Sequence, residues 1–193
     1  MAITTLDPKT ALILIDLQKG VVGMPTVHPG AEIVKRAAAL ADAFRRHGLP
    51  VVLVNVDRLA PGRTEQAPNL AAFPADWTEL VPELNRQPQD HTVTKRTWGA
   101  FTGTGLQEHL KGLGVTEVVI AGIATSAGVE STARQAHELG YNVALAVDAM
   151  TDRSAEAHTN SITRIFPRLG ETGTTREIID LLDTRAAAKP PSR

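Results

Sequence analysis

Three stretches of the sequence end on residues able to do chemistry. The apolar run Ala11-Leu-Ile-Leu-Ile15 stops at Asp16, followed by Leu17 and Gln18. The alternating run His91-Thr-Val-Thr-Lys95 stops at a lysine, with Trp98 and Phe101 just beyond. A third apolar run, Val118 to Ala121, passes through Gly122 into a turn of small residues, Ala124, Thr125, Ser126, Ala127 and Gly128. A carboxylate at the end of a buried strand suits proton transfer, because burial raises its pKa and a nearby cation lowers it. The same Asp also suits a turn cap or a solvated position. Lys95 suits a charge in a pocket walled by Gln18, Trp98 and Phe101, or a surface lysine beside a small aromatic cluster. The small-residue turn, at the start of a helix, presents backbone N–H groups that an anion or oxyanion can use. It serves equally as a tight connection whose small residues pack.

The elements that must position these groups follow from periodicity. Runs 11–15, 51–56 and 118–121 are rich in β-branched residues and read as strands buried on both faces. Residues 91–95 and 141–147 read as two more, the latter ending on Asp148. Ile33, Ala37, Leu40, Ala41 and Phe44 repeat at helical spacing, so a helix is expected from about Ala31 to His47, with Gly48 as its stop. A short helix is expected around Leu106–Leu113, and another where Val129, Thr132, Ala133 and Ala136 share one face. Ser154 is placed to cap a helix over 155–165. Thr174-Thr-Arg-Glu177 has the capping-box pattern that opens a last helix, about 175–184. Residues 19–29 read as a loop, and 57–90, with five prolines, as a long one of the kind that often forms lids or binding loops. Strands alternating with helices give a three-layer α/β/α, Rossmann-like sandwich with a mostly parallel sheet. In such sheets ligands bind beyond the carboxyl ends of the strands, where all three chemical stretches end.

Composition narrows the function classes. At 193 residues one domain is expected, 1–184, with 185–193 as a frayed tail. The net charge of -1 offers no electrostatic case for nucleic acid or an acidic membrane. There is no cysteine, which removes disulfides, thiolate metal sites and a cysteine nucleophile. The six histidines have no metal-binding spacing, so no metal or other cofactor is expected. No apolar run approaches the roughly 20 residues that span a bilayer, and no secretory signal is evident. A cytoplasmic protein acting on a small molecule is the expectation.

Taken together, the motifs resemble those of the isochorismatase-like hydrolase family. They are Asp16-Leu-Gln, Lys95-x-x-Trp98-x-Ala-Phe101, Gly122-Ile-Ala-Thr-Ser-x-x-Val129 with Thr132-Ala133, and Gly140-Tyr141 ahead of a strand ending on Asp148-Ala149. The resemblance runs from about Ala11 to Leu182. It implies a Rossmann-like α/β/α fold, a homo-oligomer, and an active site of Asp, Lys and Cys. Asp16 and Lys95 match the first two, and Gly128 stands where the nucleophilic Cys would be. It also implies a cis peptide bond at Ile123–Ala124. Amide hydrolysis through a thioester is closed to this chain. The true isochorismatases also carry Gly there, and they hydrolyse a vinyl ether, with the Asp as general acid. By that resemblance Asp16 would donate the proton, Lys95 would bind a carboxylate or position the Asp, and N–H groups of 124–128 would hold an oxygen. The turn Ala124-Thr125-Ser126 looks more like the amidase branch. A binding protein that keeps the pocket, or an amidase using Ser126 or an activated water, are the alternatives.

Overall fold

The structure is a computed structural model, and it describes residues 3–58, 60, 62–66 and 73–187. Six strands form one sheet: β1 (Thr10–Ile15), β2 (Val51–Val56), β3 (His91–Lys95), β4 (Glu117–Ile123), β5 (Asn142–Thr151) and β6 (Glu171–Gly173). Their spatial order is β3-β2-β1-β4-β5-β6, and every pair is parallel. The mostly parallel sheet expected from sequence is therefore wholly parallel. The helices are α1 (Lys19–Val22), α2 (Gly30–Arg46), α3 (Leu106–Gly112), α4 (Glu130–Glu138), α5 (Ala155–Asn160) and α6 (Thr175–Ala187). A π-helical turn, Thr125–Val129, leads into α4, and another, Ser161–Ile165, extends α5.

Two-residue periodicity divides the core into two layers. Leu12 and Leu14 of β1 join Val119, Ala121 and Ile123 of β4 beneath α2 and α6. Ala11, Ile13 and Ile15 join Val118 and Ile120 beneath α3 and α4. All six residues of β1 are buried, which is why the strand reads as a continuous apolar run. Glu177 and Thr174 bond reciprocally, each side chain to the other's backbone N–H, so the capping box is formed as expected. Ser154 likewise caps α5 by accepting from the N–H of Ala157.

Four departures from the sequence expectation have local causes. Residues 19–22 form a helical turn inside the expected loop. β5 runs on to Thr151, because a bulge over residues 146–149 lets Gly122 pair with Met150 after Ile120 has paired with Leu145. The side chain of Asp148, in that bulge, takes the N–H and hydroxyl of Thr175 at the start of α6. β6 is a three-residue edge strand, too short to show a period. Of the tail expected at 185–193, residues 185–187 instead continue α6, and 188–193 lie outside the described residues.

Candidate active site

The order of strand addition reverses about β1: β2 and β3 lie to one side, β4 to β6 to the other. The crevice between the carboxyl ends of β1 and β4 is thus the switch point of the sheet. Asp16 stands at the end of β1 with a positive φ of 50°, a conformation that Asp tolerates better than most residues. Its N–H still bonds to Val54 O on β2. Lys95 ends the edge strand β3, two strands away. Two inter-strand spacings are about 9.6 Å, and only a long, unbranched side chain crosses that. Its Nζ lies 2.8 Å from Oδ2 of Asp16 and also donates to Thr97 O.

Both members of this pair are buried, Asp16 at 7 % and Lys95 at 2 % exposure. Burial pushes the Asp16 carboxyl up to about 6, overcoming the pull of the Lys95 charge and hydrogen bond. Its second oxygen, Oδ1, is buried with no hydrogen-bond partner. A buried carboxyl oxygen without a donor favours the protonated acid, which can itself donate. The protonated form of Asp16 therefore persists to a higher pH than in an exposed carboxyl.

β4 brings the turn against this acid. The Ile123–Ala124 peptide is cis, as the resemblance implied. Gly122, at φ 125°, sits so close to β1 that a Cβ would lie 2.1 Å from Ile15 O. Gly128 faces the acid: a Cβ built there would be 3.3 Å from Oδ2 of Asp16 and 2.8 Å from Cγ2 of Ile15. Several N–H groups of the turn are already engaged. Ser126 N–H and its hydroxyl both donate to Oδ2 of Asp152, at 2.7 and 2.8 Å. The N–H groups of Ala127 and Val129 go to Ala124 O. Thr125 is fully buried, its Oγ1 2.8 Å from Nδ1 of His158.

The expected pocket walls divide. Trp98 is 64 % exposed. Phe101 is buried in the core layer beneath α3, its ring 5.9 Å from that of Tyr141. Gln18 is fully buried, and its amide is used by the backbone: Oε1 accepts Val56 N–H, and Nε2 donates to Val56 O and Trp77 O. Gln18 thereby stitches β1 to β2 and to the returning end of the long 57–90 segment. The ring of Trp77 lies 5.1 Å from that of Phe73. Sequence reasoning missed Asp152 and His158. The only signal for either was a polar residue just past β5 and a lone histidine one turn into α5. Among the described residues no group of three or more His, Cys, Asp or Glu is arranged to hold a metal ion. No described helix is long and apolar enough to cross a membrane.

A parallel α/β domain with a buried acid–lysine pair and a backbone turn at its switch point has the layout of an enzyme that does acid–base chemistry on a small molecule. Comparison with known proteins makes the class specific. The Isochorismatase domain model matches residues 10–177. The uncharacterized isochorismatase family protein YwoC of Bacillus subtilis is 45 % identical over 179 residues, 89 % of this chain and 93 % of that one. YecD of Escherichia coli O157:H7, described in the same words, is 42 % identical over 182 residues, 90 % of this chain and 96 % of that one. The structure of an isochorismatase family protein from Burkholderia thailandensis superposes with a TM-score of 0.90 at 41 % identity, covering 94 % of this chain and all of that one. This chain belongs to the isochorismatase family of hydrolases.

Proposed function

We propose that this hydrolase cleaves a vinyl ether of the isochorismate type without a covalent intermediate, using Asp16 as general acid. The observation that carries the proposal is the Asp16 carboxyl. It is buried, raised to about 6, held on one oxygen by Lys95, unpartnered on the other, and set against a position that bears no side chain. The proton of Asp16 moves to the terminal vinyl carbon, leaving an oxocarbenium ion and a carboxylate. Water adds to the cation, and the proton it loses returns to Asp16. The hemiketal then collapses to pyruvate and the freed alcohol. No protein nucleophile takes part, which accords with Gly128. Lys95 holds the Asp16 carboxylate once its proton has left and is placed to meet a substrate carboxylate. With Ser126, Ala127 and Val129 engaged, the N–H groups of Ala124, Thr125 and Gly128 are the candidates for a substrate oxygen. Trp98, exposed beyond Lys95, is the candidate for the pocket mouth. Ser126 is a poorer nucleophile, since one carboxylate oxygen takes both its N–H and its hydroxyl and no imidazole stands between them.

The test is pyruvate release from isochorismate, with Asp16→Asn beside the wild type. General acids contribute about 10²- to 10⁴-fold, so the variant should lose at least 100-fold. A wild type that binds isochorismate and releases no pyruvate would favour a binding protein that retains the family pocket.

A further inference from the structure

Three polar ties join the turn that faces Asp16 to the segment after β5. Thr125 bonds to His158, Ser126 to Asp152, and Glu130 accepts from Ser161 at 2.6 Å. The turn is thus gripped on its far side by hydrogen bonds, where apolar packing would have sufficed for a plain connection. Among the three ties, the one at Thr125 involves an imidazole. His158 is 7 % exposed, and the Thr125 hydroxyl that meets it is fully buried, so water cannot readily replace either partner.

We propose that His158 is a positioning residue: through Thr125 it fixes where the turn 125–129 stands against Asp16. In the tautomer that carries its proton on Nε2, neutral His158 accepts the Thr125 hydroxyl proton at Nδ1. Protonated, Nδ1 becomes a donor, the Thr125 hydroxyl must turn its own hydrogen elsewhere, and the buried contact reverses. Two ionisable groups, His28 and Asp152, act on that imidazole, and Glu130 is held on the neighbouring helix. The His28 ring meets it edge-on at 5.2 Å from the loop before α2, Asp152 lies at the end of β5, and Glu130 of α4 bonds Ser161, three residues further along the same helical segment. Burial and His28 both disfavour the cation, and Asp152 opposes them. The loop that carries His28 is tied to the same place, since His28 N–H donates to Thr151 and Val27 N–H to Asp152 O. The effect on turnover rests on the vinyl ether reaction proposed above; the placement of the turn does not.

The experiment has two arms. In the first, ¹⁵N–¹H shifts of the Thr125, Ser126 and Gly128 amides are followed with pH beside the His158 ring carbons, in the wild type and in His158→Asn. The turn amides should show a component with the imidazole's midpoint, and His158→Asn should lack it. Asp16 and His28 are present in both proteins, so the component that vanishes belongs to His158. Turn amides that ignore the imidazole in the wild type overturn the proposal, whatever the variant does. In the second arm, His158→Leu should lower kcat/KM for pyruvate release about tenfold, the rate equivalent of one hydrogen bond. His158→Asn, which keeps a hydrogen-bonding atom near the Nδ1 position, should recover most of the loss. Equal activity of Leu and Asn variants overturns the positioning role. A wild type without pyruvate release defeats the proposed reaction alone, and the first arm still decides the role of His158.

Discussion

Replacing Asp16 by Asn should change stability by an amount that depends on pH in one direction. The carboxyl rises from 3.8 to about 6 on folding, so the folded protein holds the proton more tightly than the unfolded chain. A group raised in this way contributes its full stability below the unfolded value, and the contribution is lost as pH rises through the folded one. The difference of about 2.2 units corresponds to roughly 3 kcal/mol. The unfolding free energy of the wild type minus that of Asp16→Asn should therefore fall by about 3 kcal/mol between pH 2 and pH 8, about 2.4 kcal/mol of it between pH 4 and pH 7, and stay flat above. The buried Lys95 loses its partner in the variant at every pH, so that cost shifts the whole curve without tilting it. Lys95→Met should raise the carboxyl further, since both Lys95 contributions lower it. At an effective dielectric near 20, unit charges 2.8 Å apart interact by about 6 kcal/mol, ample for a rise of more than about one unit. Urea unfolding at a series of pH values, with ¹³C shifts of the Asp16 carboxyl, measures both. A wild-type-minus-Asn difference that does not vary from pH 4 to 7, or a carboxyl midpoint that falls in Lys95→Met, would refute burial as the dominant cause.

Restoring a cysteine by Gly128→Cys should cost about 1–3 kcal/mol in urea unfolding, because its Cβ meets Ile15 Cγ2 at 2.8 Å. Gly122→Ala should be worse, more than about 3 kcal/mol or no folded protein by circular dichroism, since its Cβ would meet Ile15 O at 2.1 Å with φ at 125°. Tyr141→Phe removes a buried hydroxyl without a partner, so thermal unfolding should show unchanged stability or a gain of up to about 1 kcal/mol.

The sheet was legible wherever burial on both faces forced an unbroken apolar run, as in β1, β2 and β4. The capping box at Thr174 and Glu177 was legible because its signal is local. Asp16 and Lys95 could be named as candidates for the same crevice, since both end strands of a parallel sheet. That they touch could not be read, because the contact depends on β2 lying between them and on the left-handed φ at Asp16. β6 escaped notice because three residues carry no period. Gln18 was read as a pocket wall, yet its amide bonds three backbone groups, a use that leaves no mark on sequence pattern. The ties from Thr125 to His158 and from Ser126 to Asp152 were illegible for the same reason. They join residues 33 and 26 positions apart, and they depend on how far β5 runs past its bulge.

The strand that separates Asp16 from Lys95 makes their pair a register check on one half of the sheet. The two residues lie 79 positions apart (95 − 16), and they meet only after β2 has docked on β1 and β3 on β2, each in its proper alignment. A slip of one residue in either pairing would turn alternate side chains to the opposite face and strand a buried charge. Contacts of such separation form late, after the entropy of closing the long intervening chain has been met. The Asp16–Lys95 pair and the completed β1-β2-β3 alignment are thus acquired together, and a misaligned chain is electrostatically penalised.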